Sequence, residues 1–182
     1  MANTLTVLHA SLRREFARIT DPDLKEAVRR HETQIMSVAA LHRFFANSAG
    51  NGEISAEAHF QALSAVLSRS VLAPLGLHCE TFVDKGFLSA EKCEWLGLIV
   101  AELVINAAKY AFPDGDCGRV RIEILACDAC WCCTVSDNGA GMQSLSRGSG
   151  SKILDCLIEA LDGQLAVRTG PDGTAISILF VG

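Results

Sequence analysis

ELVINAAKY, Glu102 to Tyr110, has the apolar periodicity of a packed helix, yet it carries a carboxylate, an amide and an ammonium at fixed spacing. At 3.6 residues per turn, Glu102, Asn106, Lys109 and Tyr110 fall at i, i+4, i+7 and i+8, so they form one column on one face. Leu103, Val104, Ile105, Ala107 and Ala108 are left to pack. An amphipathic helix with an incidental charged edge has the same pattern, so the column acquires meaning only from its surroundings.

Upstream of the stretch, Ser89 is placed to cap a helix running through Tyr110, and Leu77 to Val83 reads as a strand. Downstream, Val120 to Leu125 and Trp131 to Val135 read as paired strands and Lys152 to Leu161 as a helix. Leu165 to Val167 and Ala175 to Phe180 close as strands around the Pro171-Asp172-Gly173 turn. Helices on one face of a mostly antiparallel or mixed sheet make an α+β layer.

The first 48 residues have a different pattern. Leu5, Leu8, Leu12 and Ile19 recur at helical spacing, and Asp21-Pro22 stops one helix and starts another. The second helix carries Leu24, Val28, His31, Ile35, Val38, His42 and Phe45 in alternating steps of four and three, the seam of an antiparallel helical hairpin that favours dimerisation. A polar break from Asn47 to Glu53 follows, and Ser55 caps a connecting helix to about Leu72. The expected division is a hairpin at 1–48, a linker and connecting helix at 49–72, and an α/β domain at 73–182.

Composition narrows the function. A chain of 182 residues, 49% of them apolar, buries one good core, and a net charge of -5 provides no general field for nucleic acid. No segment offers eighteen charge-free apolar residues and the opening lacks a signal-peptide pattern, which predicts a cytoplasmic chain without a membrane span. The eight cysteines are expected as free thiols. Cys127, Cys130, Cys132 and Cys133 lack a second ligand pair at zinc spacing, and the turn after Cys127 is expected to put Cys132 and Cys133 on opposite sheet faces.

Two further segments combine with the helix. VSDNGAGM, from Val135, ends a strand in an acidic residue and two glycines, and RGSGSKIL, from Arg147, puts glycines before an apolar helix whose N-terminus can face phosphate. In order, ELVINAAKYAFPDG, VSDNGAGM, RGSGSKIL and DGTAISILF resemble the N box, first glycine box, second glycine box and closing strand of the histidine-kinase ATP-binding domain, over roughly Leu77 to Phe180. Within that superfamily the first motif resembles HWE-type sensor histidine kinases of two-component signalling.

The resemblance implies a two-layer Bergerat-type α/β sandwich binding ATP and Mg. It places Asn106 on the magnesium ion, Glu102 beside it as metal-ordering or proton-accepting group, Lys109 near the phosphates and Tyr110 beside the nucleotide. It also implies that Asp137 accepts from the adenine amino group, Gly139 and Gly141 shape the pocket, Gly148 and Gly150 end the lid, and Thr174 supports the adenine contact. An ionised aspartate only accepts, which suits an exocyclic amine and disfavours guanine's carbonyl.

The N-terminal helices resemble the dimerisation and phosphotransfer hairpin of the same kinases. Aligning Asn3 with the asparagine of their H-R-x-K-N motif puts the acceptor histidine just before Met1, so the usual acceptor is not in this sequence, and His9 is the best-placed substitute. The expected activity is a histidine kinase passing the ATP γ-phosphoryl to histidine and on to an aspartate of a response-regulator receiver domain. The alternative is a degenerate docking module that dimerises and binds the regulator. A serine kinase of the anti-sigma type is disfavoured, because it has no need of the hairpin.

Overall fold

The computed structural model describes residues 40–41, 44–45, 52–113, 117–141 and 149–182. Apart from residues 40–41 and 44–45, the expected N-terminal hairpin, with His9, His31 and His42, lies outside the described residues, as does Gly148.

Ser55 caps the connecting helix α1, Ala56–Leu67, its hydroxyl accepting from the Ala58 N–H at 3.3 Å. The helix widens into a π turn over Ser68–Leu72 before Ala73–Leu75, where Pro74 has no N–H to offer. Gly76, at φ 73, ends the turn. The long helix α2, Ala90–Tyr110, starts as the sequence predicts, with the Ser89 hydroxyl accepting from Lys92 N–H at 3.2 Å.

Strands β2 (His78–Val83), β4 (Arg119–Cys127), β5 (Cys130–Asp137), β6 (Gln164–Gly170) and β7 (Gly173–Val181) form one sheet in the order β2-β4-β5-β7-β6. Among the described strands, only β2 and β4 pair in parallel, with α2 in the crossover between them. Helix α3, Ser149–Ala160, begins three residues earlier than expected, which places Gly150 inside its first turn. The N–H groups there have no intrahelical partner, so a glycine disturbs little. Glu53–Ser55 (β1) and Phe87–Ser89 (β3) pair as a small antiparallel ribbon that the sequence reading missed, Glu53 having been assigned to the linker. Three-residue strands are too short to display a period.

The core lies between the sheet and the helices. Val120, Ile122, Ile124, Cys133, Val135, Ile178 and Phe180 meet Cys93, Leu96, Val100, Leu103 and Val104 of α2, all buried. The opposite sheet face is polar: Glu80 pairs with Arg119 at 3.2 Å and Arg121 at 2.9 Å, and Thr134 and Ser177 hydroxyls meet at 2.9 Å. Such exposed ion pairs contribute little, so burial carries the stability. Ile122→Ala is therefore expected to lower unfolding free energy by about 2–5 kcal/mol in urea denaturation. Leu125→Ala, on a half-exposed neighbour in the same strand, should change it by under about 1 kcal/mol.

Candidate functional site

The C-terminal end of α2 runs beside the turn that follows β5. Asn106 donates through Nδ2 to Glu102 Oε1 at 3.4 Å, one turn back, and this pairing assigns the amide's orientation. Among the described residues, the Asn106 side-chain oxygen and the second Glu102 oxygen then have no protein partner. Both side chains are half-buried, whereas Lys109 is exposed and Tyr110 keeps 70% of its surface in solvent.

The backbone joins this column to the turn after β5. Ala140 N–H donates to the Ala111 carbonyl at 2.8 Å, just past the end of α2. Gly139 makes that approach possible, because a Cβ there would overlap the same carbonyl. Asn138 fixes the other side: its side-chain oxygen accepts from Arg119 N–H at 2.7 Å, and its own N–H donates to the Arg119 carbonyl at 3.3 Å. Ala111 and Asn138 were not among the residues singled out in the sequence. Asn138 had a faint signal, an asparagine directly after a strand; Ala111 acts only through its carbonyl and had none.

Asp137, the last residue of β5, is held by two backbone donors. Its Oδ1 accepts from Gly139 N–H at 3.0 Å and from Thr174 N–H at 3.2 Å. Oδ2 has no protein donor among the described residues, so it remains available to a ligand. Burial pushes the Asp137 carboxyl above its ordinary range, and the two backbone hydrogen bonds oppose that shift without cancelling it.

Thr174 is buried in β7, its hydroxyl 3.2 Å from that of Thr169 in β6. Gly173, at φ 116, turns between those strands where a Cβ would overlap the Asp137 carbonyl. Gly141 has φ 75, and a Cβ there would overlap the Gly170 carbonyl.

The structure thus brings Asp137, Gly139, Gly141 and Thr174 together through hydrogen bonds and close backbone approach, with the Glu102–Asn106 pair tied in through Ala111. Gly150 lies at the N-terminus of α3. The residues present fit a nucleotide: a carboxylate with an open acceptor oxygen, a cradle that side chains would fill, and a neutral side-chain oxygen on the adjoining helix. That oxygen also suits magnesium, which takes one or two protein oxygens and completes its shell with water and phosphate. Among the described residues no cluster of three metal-ligating side chains occurs. None of the helices described is long and apolar enough to cross a membrane.

Two family models match the chain: one described as histidine kinase-, DNA gyrase B-, and HSP90-like ATPase over residues 92–181, the other as histidine kinase over residues 1–71. A search of curated proteins finds no match. Among solved structures, the histidine kinase domain of a blue-light activated kinase from Erythrobacter litoralis is similar at TM-score 0.62 and 20% identity, covering 96% of this chain and 95% of that one. A longer structure of that kinase matches at TM-score 0.66 and 18% identity, over 97% of this chain and 59% of that one. The histidine kinase AdeS of Acinetobacter baumannii matches at TM-score 0.59 and 13% identity, over 98% and 95% of the two chains. At these identities the likeness establishes the fold.

Proposed function

Since the chain belongs to the HWE-type histidine kinases, with a histidine kinase segment at 1–71 and an ATPase domain at 92–181, we propose that it is the ATP-dependent kinase core of a two-component system. It transfers the γ-phosphoryl of ATP to a histidine, and the phosphoryl passes on to an aspartate of a response-regulator receiver domain. The observation that carries this reading is Asp137: a half-buried carboxylate with one oxygen held by two backbone N–H groups and the other open, beside glycines that keep side chains out.

In this reading the open oxygen of Asp137 accepts from the adenine amino group, and Thr174 keeps the carboxylate oriented through its N–H. Gly139 and Gly141 leave room for the base. Lys109 meets phosphate oxygens, Tyr110 lies beside the nucleotide, and Gly148 and Gly150 end the lid. Asn106 offers its oxygen to magnesium, which when bound neutralises phosphate charge. Glu102 holds the Asn106 amide so that this oxygen stays available, and in this reading it is the carboxylate that accepts a proton from the attacking imidazole.

At the phosphorus one bond forms to the imidazole nitrogen as the bond to ADP breaks. The protein's contribution is then mainly positioning and charge stabilisation. The same reading assigns residues 1–48 to dimerisation and phosphotransfer, with His9 as the candidate acceptor, and places the protein in the cytoplasm, where ATP is found.

Binding should depend on pH in one direction. Asp137 has a raised pKa, so it takes up a proton at higher pH than an ordinary aspartate, and the protonated form loses acceptor capacity. ATP affinity is expected to fall as pH drops through that raised value, while Asp137→Asn, which does not titrate there, should show a flat profile; calorimetric titrations across pH check this.

Labelled ATP tests the activity. Incubation with γ-labelled ATP, Mg and a receiver domain should yield an acid-labile, base-stable phosphoprotein whose label moves to the receiver. Tight ATP binding without any label would instead favour the non-catalytic docking module, and an acid-stable label would contradict a histidine acceptor.

A further inference from the structure

A pair of thiols lies at the end of the sheet farthest from Asp137. Cys127 and Cys130 are directly opposed partners in β4 and β5, flanking the two-residue turn Asp128-Ala129. Asp128 takes φ 50, the left-handed conformation that tight hairpin turns require. In these strands Ile122, Ile124, Trp131 and Cys133 face the helices, so the alternating Cys127, Cys130 and Cys132 share the outer face. Cys127 is exposed and Cys130 half-exposed.

Directly opposed residues on antiparallel strands have Cβ atoms about 4.5–5.5 Å apart and Cα separations of about 4.5–5.5 Å. That Cα separation lies within the roughly 4.4–6.8 Å that a disulfide spans, and closing the bond draws the two Cβ atoms in to its roughly 3.5–4.5 Å. Cys132, two pairs further along opposite Leu125, has no thiol across from it. Cys133 is buried on the core side, where burial pushes its thiol far up and out of thiolate chemistry.

We propose that Cys127 and Cys130 form a reversible oxidation site, closing to an intramolecular disulfide with a small-molecule disulfide as oxidant. One thiolate attacks the oxidant's S–S bond, forming a mixed disulfide and releasing one of its thiolates. The other cysteine then attacks the protein sulfur of that mixed disulfide, forming the Cys127–Cys130 bond and releasing the second. The two protein sulfurs lose two electrons, the oxidant's sulfurs gain them, and the two protons leave with the released thiols.

The site is separate from the nucleotide pocket. Asp137 closes the other end of β5, about 24 Å away at about 3.4 Å per residue. The turn instead adjoins the start of α2: the Ala129 carbonyl accepts from Gly182 N–H at 3.3 Å, and Lys92 Nζ donates to the Val181 and Gly182 carbonyls at 3.0 and 2.9 Å.

The test is incubation of the full chain with oxidised glutathione, followed by alkylation and peptide mass spectrometry. The expected result is a linked Cys127–Cys130 peptide, two fewer alkylatable thiols, and reversal of both by dithiothreitol. Cys127→Ser should abolish the link, and Cys132→Ser should keep it. The proposal is overturned if all eight cysteines of the wild type remain alkylatable, if glutathione stays on Cys127 or Cys130 as a stable adduct, or if a link persists in Cys127→Ser.

Discussion

Asp137→Asn is expected to weaken ATP binding roughly 10- to 150-fold, the range for losing a hydrogen bond to a charged group, while leaving the fold intact and the nucleotide-free protein somewhat more stable at neutral pH. The two effects have separate causes. An asparagine oxygen can accept from the Gly139 and Thr174 N–H groups as Oδ1 does now, so the turn keeps its hydrogen bonds. The amide nitrogen replaces the open acceptor oxygen, and two donors would then face each other across the base.

Stability moves the other way because the folded-state pKa of Asp137 is raised above the unfolded value. The unfolded chain therefore gives up that proton more readily. The stabilisation linked to the proton is complete below the unfolded pKa and is lost as pH rises through the folded one, so at neutral pH the ionised carboxylate is a net burden. Asparagine removes it. Isothermal titration for ATP and thermal unfolding of the nucleotide-free protein measure the two effects, and a variant that lost binding by unfolding would show a lower melting temperature.

Asn106→Ala should reduce phosphoryl transfer by on the order of 100-fold or more, since in the proposed site it removes the group that would face charge developing on the phosphates. Most of the ATP affinity measured without magnesium should survive, because Asp137 and its glycines are untouched. The variant also frees Glu102 from its hydrogen bond with the Asn106 amide. Initial rates at saturating ATP, with and without magnesium, separate the two roles. Equal losses of affinity in both conditions would show that Asn106 serves the shape of the helix rather than the metal.

Much of this architecture is legible in the sequence because it rests on local signals. Ser89 and Ser55 are hydroxyls at the start of apolar periodic runs, and both cap helices as expected. The Pro171-Asp172-Gly173 turn announces β6 and β7, and strict alternation in β5 predicts that Cys132 and Cys133 face opposite ways. The spacing from Glu102 to Asn106 puts both on one helix face, and in the structure they hydrogen-bond there.

What the sequence conceals depends on groups that every residue shares. Ala111 anchors the turn after β5 through a carbonyl, and Thr174 holds Asp137 through an N–H, so neither contribution depends on side-chain identity. The glycines are half legible: Gly139, Gly141 and Gly173 stand out as glycines, but the carbonyls of Ala111, Gly170 and Asp137 that exclude a side chain come from distant or neighbouring turns. The ribbon of β1 and β3 and the π turn at Ser68–Leu72 are too short or too irregular to leave a period.

The most direct test of the central claim, that Asp137 reads the amino group of adenine, compares ATP with inosine triphosphate, which carries a carbonyl in place of that amine. Wild type should prefer ATP by about tenfold or more, and Asp137→Asn should reverse the preference, because its amide can donate to the carbonyl. An ATP-to-inosine-triphosphate affinity ratio that is the same in both proteins would contradict the account.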